Sequence, residues 1–445
     1  MNRTPIALAA LALLVSAAAG AFAEGATARA KTPGPTAGTQ LATGLVNPRG
    51  ITMGPDGMLY VAEAGSGGST AITIDGGQHK VGTTGRISKI DPATGTVTTV
   101  ASNLPSDVGP LGDAVGPAGV AFLGAQLYYL QTHGGTAYGF PATPTGLYKV
   151  NADGTTTLVA DIGAFNIANP VADITNGTQK DIEVGGNPYS MTVRGGNFYV
   201  VDGNQNQLLQ VTPAGTVSRV TAFSGHPVTT GITYAPGGPF YVTTLGQFPF
   251  APSAGTVLQV GYPTGSTNKI AGGVSSLTDV AIGPGGQLYA LNFGDQNTSP
   301  GPPWMPFTGK ILKVNSDGTM TPIVSGFTFA TSMIFSGNTA YVVNNGLSAL
   351  APGAIWQIPN FSSVTPVAGA SPAAAPTAAP AAAAPTSVPA TPVTGVTAPN
   401  TGTGPAAGTA GNLGWYLVAL AAAAAGVAAT LAGRRMAARG PRLQR

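Results

Sequence analysis

The chain has no cysteine, only three histidines, and charged residues at 8% of its 445 positions. Without cysteine there is no disulfide framework and no thiolate chemistry. Stability has to come from burial alone, which a body of this length can supply. His79, His133 and His226 show no recurrent carboxylate partner in the sequence, so general acid–base work has little to draw on and they read as loop residues. No His-Glu-x-x-His, Gly-x-Ser-x-Gly or phosphate-binding loop occurs. A quinone-dependent sugar dehydrogenase would want a basic, histidine-bearing pocket, which the pattern does not provide. The formal net charge of +3 misleads, because Arg434, Arg435, Arg439, Arg442 and Arg445 crowd the C-terminus. Between 39 and 361 there are 11 basic and 15 acidic residues, and no basic patch for nucleic acid.

What the chain has is a repeat. Six times an apolar strand, a tight Gly turn and a second strand carrying tyrosine follow one another, at Tyr60, Tyr128, Tyr199, Tyr241, Tyr289 and Tyr341. Three residues after each tyrosine stands a polar residue: Glu63, Gln131, Asp202, Thr244, Asn292 and Asn344. A third strand and a hairpin turn recur downstream, as at 86–95, where Asp91 to Gly95 makes the turn. A β-unit too small to bury its own core, repeated six times, predicts an all-β fold, a six-bladed β-propeller over 39–361. The sixth unit lacks its fourth strand, and the segment Gln40 to Leu45 looks like a fourth strand without a blade. The N-terminal strand is therefore expected to complete blade six and close the ring.

The ends read differently. Arg3, the apolar run from Ile6 to Ala19 and Ala21 to Ala23 predict a secretory signal over 1–23, followed by a spacer at 24–38. Residues 362–412 are rich in Pro, Ala and Thr and predict an extended stalk. The apolar run at 413–433 has the length of a bilayer crossing, and the arginines of 434–445 place that tail in the cytoplasm. The expected location of the body is thus extracytoplasmic, tethered to the envelope.

The lengths of the connections distinguish the two faces. Turns between strands one and two, and three and four, are tight in nearly every unit. The insertions at 63–85, 103–117, 132–145, 161–187, 245–254 and 293–308 all fall on the opposite side. Long loops on one side of a rigid scaffold carry binding.

The stretch GLVNPRGITMGPDGMLYVAEAG at 44–65, the stretch GRISKIDPATG at 85–95 and the segment 186–211 resemble the ScyD/ScyE family of exported bacterial propellers. The resemblance spans 39–361 and shades into NHL-type propellers. It implies the fold and export. The founding members are linked to a cyanobacterial sunscreen pigment pathway, and the family brings no established catalytic residues. The segment Ala398 to Gly402 resembles a sortase signal, with Ala at the position where that pattern has Leu. Motif, apolar run and Arg tail stand in sortase order, so a sortase is an expected partner; a chance match in a Pro- and Thr-rich linker is the other reading.

Two sets of candidate site residues follow. Glu63, Asp202, Asn292 and Asn344, with Asp279 near the start of a first strand, offer oxygen ligands from several blades. Such a set would suit Ca²⁺ and would resemble the calcium-dependent lactonases and esterases built on six blades. The simpler reading is that each polar residue hydrogen-bonds the backbone of its own loop and that no cofactor is held. The tyrosines read as packing between blades. The second set is Phe248 and Phe250 in blade four's insertion with Trp304 and Phe307 in blade five's. It reads either as a stacking surface for a glycan or apolar ligand, or as a lid packed on itself. The favoured expectation is a non-catalytic module that presents its long-loop face to a glycan, a small molecule or a protein. The alternative is a secreted calcium-dependent hydrolase.

Overall fold

The computed structural model describes residues 34–367 except 75–76, 111, 172–184, 248–249, 298–302 and 348–350. The expected signal, most of the stalk, the apolar run at 413–433, the basic tail, the 398–402 motif and Phe248 lie outside the described residues. Among the described residues no helix is long and apolar enough to cross a membrane.

The chain opens with β1 (Thr39–Leu45). Blade one comprises β2 (Pro48–Met53), β3 (Leu59–Glu63), β4 (Thr70–Ile74), β5 (Gly77–Ile90), β6 (Val97–Val108) and β7 (Ala114–Val115). Blade two follows as β8 (Pro117–Leu123), β9 (Gln126–Gln131), β10 (Gly146–Val150) and β11 (Thr156–Asp161), and leads into the short helix α1 (Ile162–Ala168). Blade three is β12 (Pro188–Arg194), β13 (Asn197–Asp202), β14 (Gln207–Val211) and β15 (Val217–Ala222). Blade four is β16 (Thr229–Tyr234), β17 (Phe240–Thr244), β18 (Gly255–Val260) and β19 (Thr267–Val274). Blade five is β20 (Leu277–Ile282), β21 (Leu288–Asn292), β22 (Gly309–Val314) and β23 (Met320–Phe327). Blade six is β24 (Ser332–Ser336), β25 (Thr339–Asn344) and β26 (Gly353–Ile358). All six sheets are antiparallel, and β1 pairs with β26 from Thr39–Gln357 to Leu45–Gly353. The ring is closed by the N-terminal strand as the sequence predicts.

Two insertions expected as loops are partly strand. In blade one, β5 and β6 run on past the blade, β4 folds back on β5, and β7 adds to β6. The extension carries 63–85 and 103–117 as a raised sheet. In the 161–187 insertion, the Asp161 carboxylate accepts the Ala164 N–H at 2.7 Å and starts α1. Packing also extends slightly beyond 39–361: Thr36 N–H donates to the Ser325 carbonyl at 2.8 Å and Val367 N–H to that of Pro322 at 3.2 Å.

The hydrophobic core is divided into six clusters, and each is shared by two neighbouring blades. Tyr60 with Val120 and Leu127 joins blades one and two, and Ile51 and Val61 with Tyr341 and Ile355 join blades one and six. The recurrent tyrosines supply much of this seam packing. Tyr60, Tyr128, Tyr199 and Tyr289 meet Phe122, Phe198, Phe240 and Phe335 of the next blade, with ring centroids 4.6–5.3 Å apart. Tyr241 is the exception and stays half-buried. The seam it would fill, between blades four and five, holds only aliphatic side chains: Val257, Ala271, Leu277, Ala290, Leu312, Val314 and Met320.

The innermost strands β2, β8, β12, β16, β20 and β24 contact one another around the ring. Their equivalent positions are Gly50, Gly119, Ser190, Gly231, Asp279 and Ser332. A methyl at Gly50 would sit 2.7 Å from the Ala118 carbonyl oxygen, and one at Gly231 would sit 2.4 Å from the Asp279 Cα. One residue earlier, Thr230, Thr278 and Thr331 each donate to a carbonyl of the next blade: Leu277 at 2.9 Å, Ala330 at 2.8 Å and Pro48 at 3.0 Å. The last of these bonds crosses the closing seam. Gly231→Ala forces the two innermost strands apart and should cost about 1–3 kcal/mol in urea unfolding. Gly285→Ala, at a turn with open space around it, should leave the seams intact and cost only its backbone strain at φ 69°.

Candidate functional site

The six polar residues that end the second strands are buried in the sheets, each at 6% exposure or less, rather than displayed at an open mouth. Most of their polar atoms meet the surrounding protein; Gln131 Oε1 and Asn292 Oδ1 do not. Glu63 accepts from Val46 N–H at 2.6 Å, Ser88 Oγ at 2.5 Å, and both Nε and Nη2 of Arg86 at 2.7 and 2.8 Å. Asp202 accepts from the N–H groups of Asn187, Asn204 and Gln205 at 2.9–3.1 Å and from Asn166 Nδ2 at 2.7 Å. Asn344 accepts Thr328 N–H at 2.7 Å, and Thr244 accepts Thr256 N–H at 3.0 Å. Gln131 donates to the Pro105 carbonyl at 3.1 Å, and Asn292 to those of Ser275 and Ser276 at 3.2 and 3.1 Å. Each thus fastens neighbouring loop or strand backbone, and Gln131 reaches from blade two to blade one.

These residues do not fit a calcium site. Glu63 and Asp202 have separate sets of donors, and the Arg86 guanidinium already neutralises Glu63. Among the described residues no group of three or more His, Asp or Glu is placed to hold a metal ion. Asp279 lies elsewhere, on the innermost strand β20. It accepts from Ser332 Oγ at 2.6 Å and from the N–H groups of Met333 and Val280, both at 2.8 Å. Burial pushes its carboxyl up to about 6, against the downward pull of those donors. On β12, burial pushes the Tyr189 hydroxyl up to about 12; the Arg49 charge lowers it and Asp279 raises it. Arg49 itself donates to the Ala114 carbonyl. Arg49, Tyr189 and Asp279 come from alternate blades, and only Asp279 had a sequence signal.

The histidines do have a carboxylate, contrary to the sequence expectation. His79 Nδ1 and His133 Nδ1 both lie 2.8 Å from Asp107 Oδ2, which is fully buried. Tyr138 stacks on His133 with centroids 4.2 Å apart. Asp107 sits on β6 and His79 on the neighbouring β5, while His133 arrives from blade two's insertion. This cluster therefore clasps two insertions together. Sequence reasoning missed it because Asp107 is 28 positions from one histidine and 26 from the other; only the folded extension of blade one joins them. His226 is buried and stands apart from this cluster.

The aromatic set is partly gathered. Phe250 packs on Trp304 with centroids 4.4 Å apart, Trp304 meets Phe293 at 4.9 Å, and Phe293 meets Phe329 at 5.4 Å. Trp304 Nε1 donates to Ser276 Oγ at 3.0 Å. This is the self-packed arrangement for Phe250 and Trp304. Phe307 differs: it is 37% exposed beside Met305 at 39%. Phe250, Phe307 and Phe329 all have positive φ, at 60°, 63° and 47°. For a bulky residue that conformation costs about 1–3 kcal/mol, and such strain concentrates where a surface has work to do. Thr328 Oγ1 holds the Phe307 N–H at 3.1 Å.

No family model matches the chain. No curated protein matches it either. Among solved structures, the PQQ-bound aldose sugar dehydrogenase of Streptomyces coelicolor is 13% identical, covers 73% of this chain and 97% of its own, and has a TM-score of 0.44. A putative gluconolactonase is 13% identical over 75% of this chain and 96% of its own, with a TM-score of 0.43. Virginiamycin B lyase from Staphylococcus aureus is 12% identical over 73% and 98%, with a TM-score of 0.41. The propeller is established by the strand pairing itself, and these likenesses bear on no residue's chemistry.

Asp279 has a pH signature. Its raised pKa means that the buried neutral acid contributes stability below about pH 4, lost as pH rises through about 6. Relative to Asp279→Asn, the native chain should lose about 2–3 kcal/mol between pH 4 and pH 7, at about 1.4 kcal/mol per tenfold change. Parallel urea titrations at each pH measure this; a constant difference between the two proteins contradicts it.

Proposed function

We propose that this chain is an exported, envelope-tethered propeller that binds a ligand on its long-loop face without transforming it. Export and the tether rest on the signal at 1–23, the stalk, the apolar run at 413–433 and the sortase-like motif at 398–402. Kinship with the ScyD/ScyE propellers is part of the same reading and rests on the stretches at 44–65, 85–95 and 186–211. The observation that carries binding is the exposed pair Met305 and Phe307, the latter at positive φ, in the same insertion as Trp304, which packs on Phe250 and Phe293. A preformed apolar surface of this kind takes a ligand at low ordering cost. The calcium-dependent hydrolase has no equivalent support, because Glu63, Asp202, Asn344 and Asp279 are each engaged by their own protein donors.

The test uses the full-length chain with glycan fractions and small apolar probes, followed by calorimetry. Binding should weaken about tenfold, roughly 1.4 kcal/mol, in the double variant Met305→Ala and Phe307→Ala, with an unchanged melting temperature. Equal binding by both proteins, or lactone or ester turnover abolished by EDTA, overturns the reading.

A further inference from the structure

The seam between blades four and five is packed differently from the other five. Its buried cluster has no aromatic ring, and Tyr241, which would fill it, stays half-exposed. A cleft of about 410 Å³ opens there, with Pro252 and Val274 on its apolar wall and Asn292, Asp295, Gln296 and Lys310 on its polar side. That volume lies within the range of about 300–1,000 Å³ typical of small-molecule sites.

Three features define what the cleft accepts. Lys310 Nζ and Asp295 Oδ1 form an ion pair, so the charges of the lining compensate and select no net charge in a ligand. Asn292 is 1% exposed, and its Nδ2 is engaged by Ser275 and Ser276. Its Oδ1 has no hydrogen-bond donor among the described residues. A buried acceptor left without a donor costs about 1–3 kcal/mol, which a ligand hydroxyl would relieve and an apolar ligand would not. The wall of Pro252 and Val274 at the same time favours a face of C–H groups. A molecule with hydroxyls along its rim and an apolar ring face meets both demands.

We propose that the cleft between blades four and five is a subsite for a short neutral glycan, with Asn292, Asp295 and Lys310 recognising its hydroxyls. This rests on the reading of the long-loop face as a binding surface and names the ligand class. Asp295 belongs to the loop that carries Met305 and Phe307, and Met305 N–H bonds the Asp295 carbonyl at 2.8 Å. One loop therefore frames both the exposed pair and the cleft.

The experiment is saturation-transfer NMR on the full-length chain with maltose, cellobiose and N,N′-diacetylchitobiose, and with benzyl alcohol as the apolar probe. At least one disaccharide should receive saturation on its ring protons. Its affinity should fall at least tenfold in Lys310→Met and in Asp295→Asn, two changes at a partly exposed pair that leave the seams alone. Val274→Trp, which fills the cleft, should abolish it, with near-ultraviolet circular dichroism reporting on folding. Sugar binding that survives all three variants but is lost in Phe307→Ala overturns the subsite and keeps the loop-face reading. Saturation of benzyl alcohol alone, sensitive to Phe307→Ala, does the same. No saturation of any probe overturns both.

Discussion

The structure depends on cores that belong to no single blade. Every buried cluster takes residues from two neighbouring sheets, so a blade removed from its neighbours exposes both of its apolar faces. Six such seams are satisfied together only by a closed ring. With no cysteine in the chain, closure rests on β1 lying against β26 and on the cluster of Leu45, Ile51, Tyr341 and Ile355 beneath that join. The inner ring adds a second requirement. Where Gly50 and Gly231 stand, the innermost strands approach too closely for a side chain, and three threonines beside that ring tie blade four to five, five to six and six to one.

Residues that close seams are apolar or small, and Glu63, Asp202 and Asn344 at the ends of second strands are consumed by loop anchoring. Blade one raises an extra sheet, pinned to blade two's insertion through Asp107 and two imidazoles. Blades four and five raise aromatic loops over the one seam that lacks rings. The loop face is thus divided into a polar clasp on one side and an apolar surface with a cleft on the other.

Much of this was legible in the sequence. Strand pairs, turns and the orphan strand at 40–45 carry period-two patterning and Gly-bearing turns, which are local signals. The tyrosines announced seam packing, and four of them stack across seams; Tyr241 departs because the seam beyond it holds small aliphatic residues that no local pattern reveals. The polar residue after each tyrosine was read in two ways, and the burial of Glu63 and Asp202 among protein donors favours loop anchoring. The clasp of His79, Asp107 and His133 was hidden, because it depends on β5 and β6 running past the blade. The threonines at 230, 278 and 331 were also hidden: each reads as an ordinary strand residue until the neighbouring carbonyl is placed.

The position of β26 has a mechanical meaning. It is the last strand of the body, yet β1 covers its outer side, so it is an interior strand with ladders on both flanks. Tension applied to the chain beyond residue 367 cannot peel it away one hydrogen bond at a time, as it could an edge strand. It must shear two ladders at once, which protects the last strand of the ring against unzipping from its C-terminal side.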